Sequence, residues 1–255
     1  VFGSIAALTA HRAARRVVGA AQRIDRRHRV LEEHPMPLAP EAFVAELDTA
    51  NRAALDRIGA ASSAGEPDAG LTPSKLLMLA LKNEIEATEC AAAWIATTPE
   101  TNVKLALARQ AGDEAKHYRL IQKRLAELGV ATDAHDPLAA GHSPLTKYLL
   151  ALSGTVARVA AGQFTREALA VVRNEEFIRF CRSKGDVATA SLYEDTIQPD
   201  ERHHHELGRS LLLTLATTDE AQAAARQASA EVLRIADELQ EVARLKMNVS
   251  RAPGC

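Results

Sequence analysis

Apolar residues recur along this chain at the spacing of helix faces rather than in the alternation of strands. Over 73–97, Leu77, Leu81, Ala91 and Ile95 line one side, with Glu84 and Thr88 set among them. A similar face runs through Ala160, Gln163, Phe164, Ala170, Val171 and Ile178, and another through Ala228, Val232, Ile235, Leu239, Val242 and Leu245. Near the start, Val17, Ala20, Ala21, Ile24 and Leu31 stand opposite a series of arginines. Thr72-Pro73, Thr98-Pro99 and Ser143-Pro144 each place a capping hydroxyl before a proline suited to a first helical turn. Gly129 and Gly185 are stop signals, and Asp186 is a new N-cap. The pattern predicts helices near 4–33 and 40–61, a linker over 62–70, helices near 73–97, 99–128, 146–184 and 187–216, and a last helix near 219–247. Ser153-Gly154 is placed to break the long helix over 146–184, and the tail 251–255 is expected to be disordered.

Loop lengths turn these helices into a topology. The joins at 97–101 and 183–186 are tight, which makes antiparallel neighbours, whereas 129–143, with Pro137 and Gly141, is long. Two hairpins joined by one long crossover form a four-helix bundle. The expected organisation is all-α: an N-terminal helical extension and linker over 1–70, the bundle over 71–217, and a C-terminal helix and tail over 218–255.

Composition agrees with this. The chain has 255 residues, 47% of them hydrophobic and only 4% aromatic, so a sizeable core is built mainly from the strong helix formers Ala and Leu. A net charge of −2 gives no general pull toward nucleic acid or membrane. No apolar run approaches the roughly 18 residues of a membrane span, and no membrane partner is expected. Cys90, Cys181 and Cys255 are far apart and form no Cys-x-x-Cys pair, which argues against a disulfide framework or a sulfur-bound metal and for a reducing, cytoplasmic setting. The basic stretch with Arg12, Arg15, Arg16, Arg23, Arg26 and Arg27 reads as a solvated helix face in preference to a transit peptide or an RNA contact.

Two short motifs carry chemistry: Asp113-Glu114-Ala115-Lys116-His117 and Asp200-Glu201-Arg202-His203-His204. Each contains Glu-x-x-His, which on a helix points both side chains at one ion. They fall on the second helix of successive hairpins, which is far more specific than one such motif. Hairpin symmetry locates partner carboxylates, because Glu84 lies as far before Pro99 as Glu114 lies beyond it. In the second hairpin the residue level with Glu201 is 169; Glu167 is about 3 Å from that level and Glu175 about 9 Å. Glu167 is therefore the expected fourth carboxylate and Glu175 the reserve. Glu86 and Glu89 share the opposite face with Lys82 and read as solvated. Four buried carboxylates need compensation, and two divalent cations with two imidazoles supply it. This oxygen-rich set suits iron, or manganese, better than structural zinc.

Glu84, Glu114-x-x-His117, Glu167 and Glu201-x-x-His204 together resemble the di-iron carboxylate pattern of the ferritin-like superfamily, and Ala161-Gly162 through Gly185 to the second motif resembles rubrerythrin. The likeness covers roughly 73–216. It implies a ferritin-like bundle holding two iron ions, with Asp113 and Asp200 bonded to the ligand histidines as in oxygen-activating members. Lys116 and His203 stand where that form has Arg. Tyr118, Trp94 and Tyr193 lie near the inner faces; Tyr118 is placed beside the metal ligands, with plain packing the alternative. His203 and His205 read as surface or outer groups, and Pro199 as a helix start or a local opening. The resemblance implies an oxidoreductase, a monooxygenase or oxidase, that activates dioxygen to oxidise an organic substrate with an external electron donor, in a chain that could pair as a homodimer. The alternatives are a rubrerythrin-like peroxidase or ferroxidase, and a helical scaffold stapled by its metals. The absent Cys-x-x-Cys domain and the long N-terminal addition argue against a full rubrerythrin and a ferritin cage subunit.

Overall fold

Local capping chemistry fixes several helix boundaries. In a computed structural model of the chain, which describes residues 36–63, 70–247 and 253–254, nine α-helices are seen. They are α1 (Pro40–Ser63), α2 (Pro73–Thr97), α3 (Thr101–Glu127), α4 (Pro144–Ala151), α5 (Thr155–Val159), α6 (Glu167–Ser183), α7 (Val187–Leu192), α8 (Gln198–Leu215) and α9 (Asp219–Met247). The expected helix over 4–33 lies outside the described residues. Thr72, Ser143 and Asp186 cap as anticipated, accepting from the amides of Lys75, Thr146 and Thr189. Gly129 and Gly185 both take φ 77°, the left-handed conformation of a helix stop. Thr98 does not cap: it ends α2 in an extended conformation, which the following proline favours, and α3 starts from Glu100.

Two π-helical stretches interrupt the second hairpin. Ala160–Arg166 joins α5 to α6, and Tyr193–Ile197 joins α7 to α8. The second has a cause in the sequence, since Pro199 offers no N–H to the turn behind it and the helix widens there. The expected break at Ser153-Gly154 separates α4 from α5. Arg158 holds it closed, donating to the carbonyl of Leu152 and to Thr97 Oγ1, each at 2.8 Å.

The crossover runs along α2, and this corrects the reading of its outer face. Lys82 donates to the carbonyl of Gly141, and His142 bonds Glu89 at 2.7 Å. Glu86 is buried, not solvated: it accepts from the amide of Ser143 at 2.6 Å and from Thr146 Oγ1 at 2.8 Å. A carboxylate at the N-terminus of α4 satisfies orphan donors and complements the helix dipole.

Residues from Met36 onward form one compact unit in which α1 and α9 lie along the flank of the second hairpin. Asp48 pairs with Arg209, and Gly59 sits beside Val172. Asn51 donates to Thr165 Oγ1, which donates to Ser229, so a buried hydrogen-bond chain ties α1 and α9 to the first π stretch. The tail also departs from expectation. Pro253 and Gly254 are buried, bonded through their backbone to Asn83 and Asn174. Apolar packing is divided in two. One cluster surrounds Trp94, Leu107, Leu149 and Phe164, and the other surrounds Leu77, Leu81, Ile121, Phe177 and Tyr193. By chain position the candidate carboxylates fall between them.

Candidate metal centre

All six residues singled out by the motifs come together. Glu84, Glu114, His117 and Glu201 place one ligand atom each within 4.8 Å of one another, and so do Glu114, Glu167, Glu201 and His204. The two groups share Glu114 and Glu201. Every one of the six is at most 3% exposed. Glu175, the reserve, points outward to Arg202 at 3.3 Å. His205 stacks on Phe164 with ring centroids 4.8 Å apart and bonds its carbonyl at 2.7 Å, outside the cluster.

The imidazoles are oriented by the opposite hairpin. His117 Nε2 lies 3.1 Å from Asp200 Oδ2, and His204 Nε2 lies 3.2 Å from Asp113 Oδ2. An ionised carboxylate only accepts, so each Nε2 carries the proton and each Nδ1 faces inward. His117 Nδ1 is 3.4 Å from Glu114 and 3.5 Å from Glu84; His204 Nδ1 is 3.5 Å from Glu201 and 3.7 Å from Glu114. Both Nδ1 atoms are buried without a hydrogen-bond partner. Lys116 takes the role of the expected Arg, reaching Asp200 at 2.5 Å and Asp113 at 3.7 Å. It and His117 hold Asp200 below the usual carboxylate range although burial works against them.

The carboxylates are electrostatically strained without a cation. Burial, then the field of Glu114, pushes Glu201 up to about 8. Burial pushes Glu84 up to about 7, with His117 opposing and Glu114 adding to the rise. Glu167 is raised well above its ordinary value by burial, which Arg166 resists and Glu201 and Glu114 reinforce. Glu114 goes the other way: burial is overcome by His117, whose Nδ1 lies 3.4 Å away, and by Arg166 and His204, which hold it at about 2. His117 is the counterpart, its burial outweighed by Glu114 and Glu84, which raise it to about 12.

Three nearby groups carry no metal-ligand motif. Gln110 sits one turn before Glu114 on the same face and donates to Glu167 at 2.6 Å. Arg166, adjacent to Glu167, donates to the same oxygen at 3.1 Å. Helical spacing signals the first; nothing in the sequence turns Arg166 inward, because the π stretch does so. Tyr193 is fully buried with an unpartnered hydroxyl, and both Glu84 and Glu201 act on it. Tyr118, expected beside the ligands, is half-buried and packs on the Leu77 and Phe177 cluster. Grooves of about 490 and 470 Å³ flank α1, and neither is lined by any of the six.

The two groups are each able to hold a metal ion, with one inward imidazole nitrogen, two shared carboxylates and one further carboxylate at each position. Compared with known proteins, the chain matches no family model, no curated protein and no solved structure.

Proposed function

We propose that this chain is a ferritin-like dinuclear metal protein, with iron the preferred metal, that activates dioxygen to hydroxylate or oxidise an organic substrate. The observation that carries the reading is the pair of unpartnered Nδ1 atoms aimed at four buried carboxylates. Two hairpins with a long crossover support the ferritin-like assignment, and no helix among the described residues is long and apolar enough to cross a membrane.

Iron bound here would supply the oxidising chemistry toward dioxygen. The chain's own residues position and insulate it. Glu114 and Glu201 lie in both groups and would help to hold either ion, with Glu84 and His117 completing one position and Glu167 and His204 the other. Asp200 and Asp113 fix the rings so that Nδ1 needs no reorientation to bind. The apolar clusters on either side exclude water, which lowers the local dielectric and strengthens every charge interaction in the centre. Hydroxylation places one oxygen atom in a C–H bond and reduces the other to water, so an external donor provides two electrons and two protons follow from solvent.

The test begins with anaerobic loading. Elemental analysis should give two irons per chain, and zero or one would refute the dinuclear reading. Replacing Glu114 or Glu201 by Ala should remove most of the metal, whereas Glu175→Ala should keep it. On mixing with oxygen, the ferrous protein should form an oxidised species whose decay accelerates with a suitable organic substrate. Substrate-independent turnover of hydrogen peroxide would transfer the assignment to a peroxidase.

A further inference from the structure

Two cations placed in this centre would meet different surroundings. The two groups share Glu114 and Glu201, so what separates them is Glu84 with His117 against Glu167 with His204. Glu167 Oε1 accepts from both Gln110 Nε2, at 2.6 Å, and Arg166 Nη1, at 3.1 Å. Both donors are buried in the same interior as the carboxylate they hold. Glu84 has no such donor: among the described residues no Lys or Arg nitrogen lies within 4 Å of it, and its close neighbour is His117 at 3.5 Å. A guanidinium is a cation that cannot leave by losing a proton, so a divalent ion at the Glu167 position competes with an existing buried ion pair for the same carboxylate. It must also tolerate that guanidinium nearby, where a low dielectric makes like charges repel strongly.

We infer that Arg166 acts as a built-in counter-ion that makes the centre fill in order. The position of Glu84 and His117 takes the first divalent cation. The position of Glu167 and His204 takes the second more weakly, only as Glu167 is released from Arg166 and Gln110. This rests on the dinuclear reading and adds to it a one-metal state at low metal supply. Arg166 is 8% exposed and holds Glu167 from within the interior. It is a positioning residue and touches no substrate.

Titration of the full chain with Mn²⁺, followed by calorimetry and electron paramagnetic resonance, tests the order. Two binding steps are expected, the second roughly tenfold or more weaker, which is a separation calorimetry resolves. Up to one equivalent the resonance should be that of isolated ions, with a spin-coupled signal appearing only beyond it. A coupled signal already at half an equivalent would overturn the inference in the wild-type protein, with no variant needed. Arg166→Met should bring the second dissociation constant to within about threefold of the first, in protein whose melting confirms the fold. An unchanged gap in that variant would overturn it too. Glu167→Gln should abolish the second step and Glu84→Gln the first. Absence of any Mn²⁺ binding would instead remove the dinuclear reading, and the inference with it.

Discussion

A carboxylate in this chain is defined by what covers it, and Glu84 and Glu86 show how sequence can mislead at that scale. Both are buried on α2, yet Glu84 faces α3 and α8 while Glu86 caps α4. Helical periodicity identifies the first, because its face is apolar. It assigns the second to solvent, because nothing local reports that a segment nearly sixty residues on will lie over it. Glu86→Ala should therefore lower stability by about 1–2 kcal/mol through loss of a cap, without loss of metal. Denaturant melts and metal analysis of the same sample check both halves of that statement. The aspartates behave oppositely, being half-exposed yet tied to the site. Asp200→Ala should weaken metal binding at the position of His117, and Asp113→Ala at the position of His204, each by about 10–100-fold. Stepwise metal titration of the two variants distinguishes this crossed pattern from a loss confined to each motif's own histidine.

At the scale of elements, boundaries were legible and irregularities were not. Prolines and glycines announce α2, α4 and the two hairpin turns, and Ser153-Gly154 announces the break before α5. Of the two π stretches only the second is marked in the sequence, by Pro199; the first arises where close packing outweighs the regular hydrogen-bond ladder. Gly208 marks one such packing point. A Cβ there would fall 2.6 Å from the amide nitrogen of Phe164 and 2.7 Å from the carbonyl carbon of Gln163, both backbone atoms of the first π stretch. Gly208→Ala should force α8 away from that stretch and destabilise the protein by about 1–3 kcal/mol. Thermal melting should register a fall of roughly 3–10 °C. A melting temperature equal to that of the wild type would show that the stretch can yield.

For the whole molecule the dominant quantity is the charge it encloses. Between the ordinary carboxyl value of 4.5 and the raised values of about 7 for Glu84 and about 8 for Glu201, the folded metal-free chain retains protons that the unfolded chain has released. Stability then falls as pH rises through that window, by about 1.4 kcal/mol per pH unit for each retained proton. His117, raised to about 12, acts in the same sense above 6.5, whereas the lowered Glu114 matters only below 4.5. Metal-free protein should accordingly melt lower at pH 8 than at pH 5, and saturating metal should narrow or reverse the difference. A flat or rising profile without metal would contradict the enclosed charge. The aspartate–histidine bonds add a consequence of symmetry. Asp113 reaches the second motif's histidine and Asp200 the first's, so the two hairpins exchange equivalent contacts as the subunits of a two-fold dimer do. Neither half encloses a finished ion position by itself. The centre is an interface folded into one polypeptide, and the pair of Arg166 with Glu167, which has no counterpart at Glu84 among the described residues, is where that internal two-fold is broken.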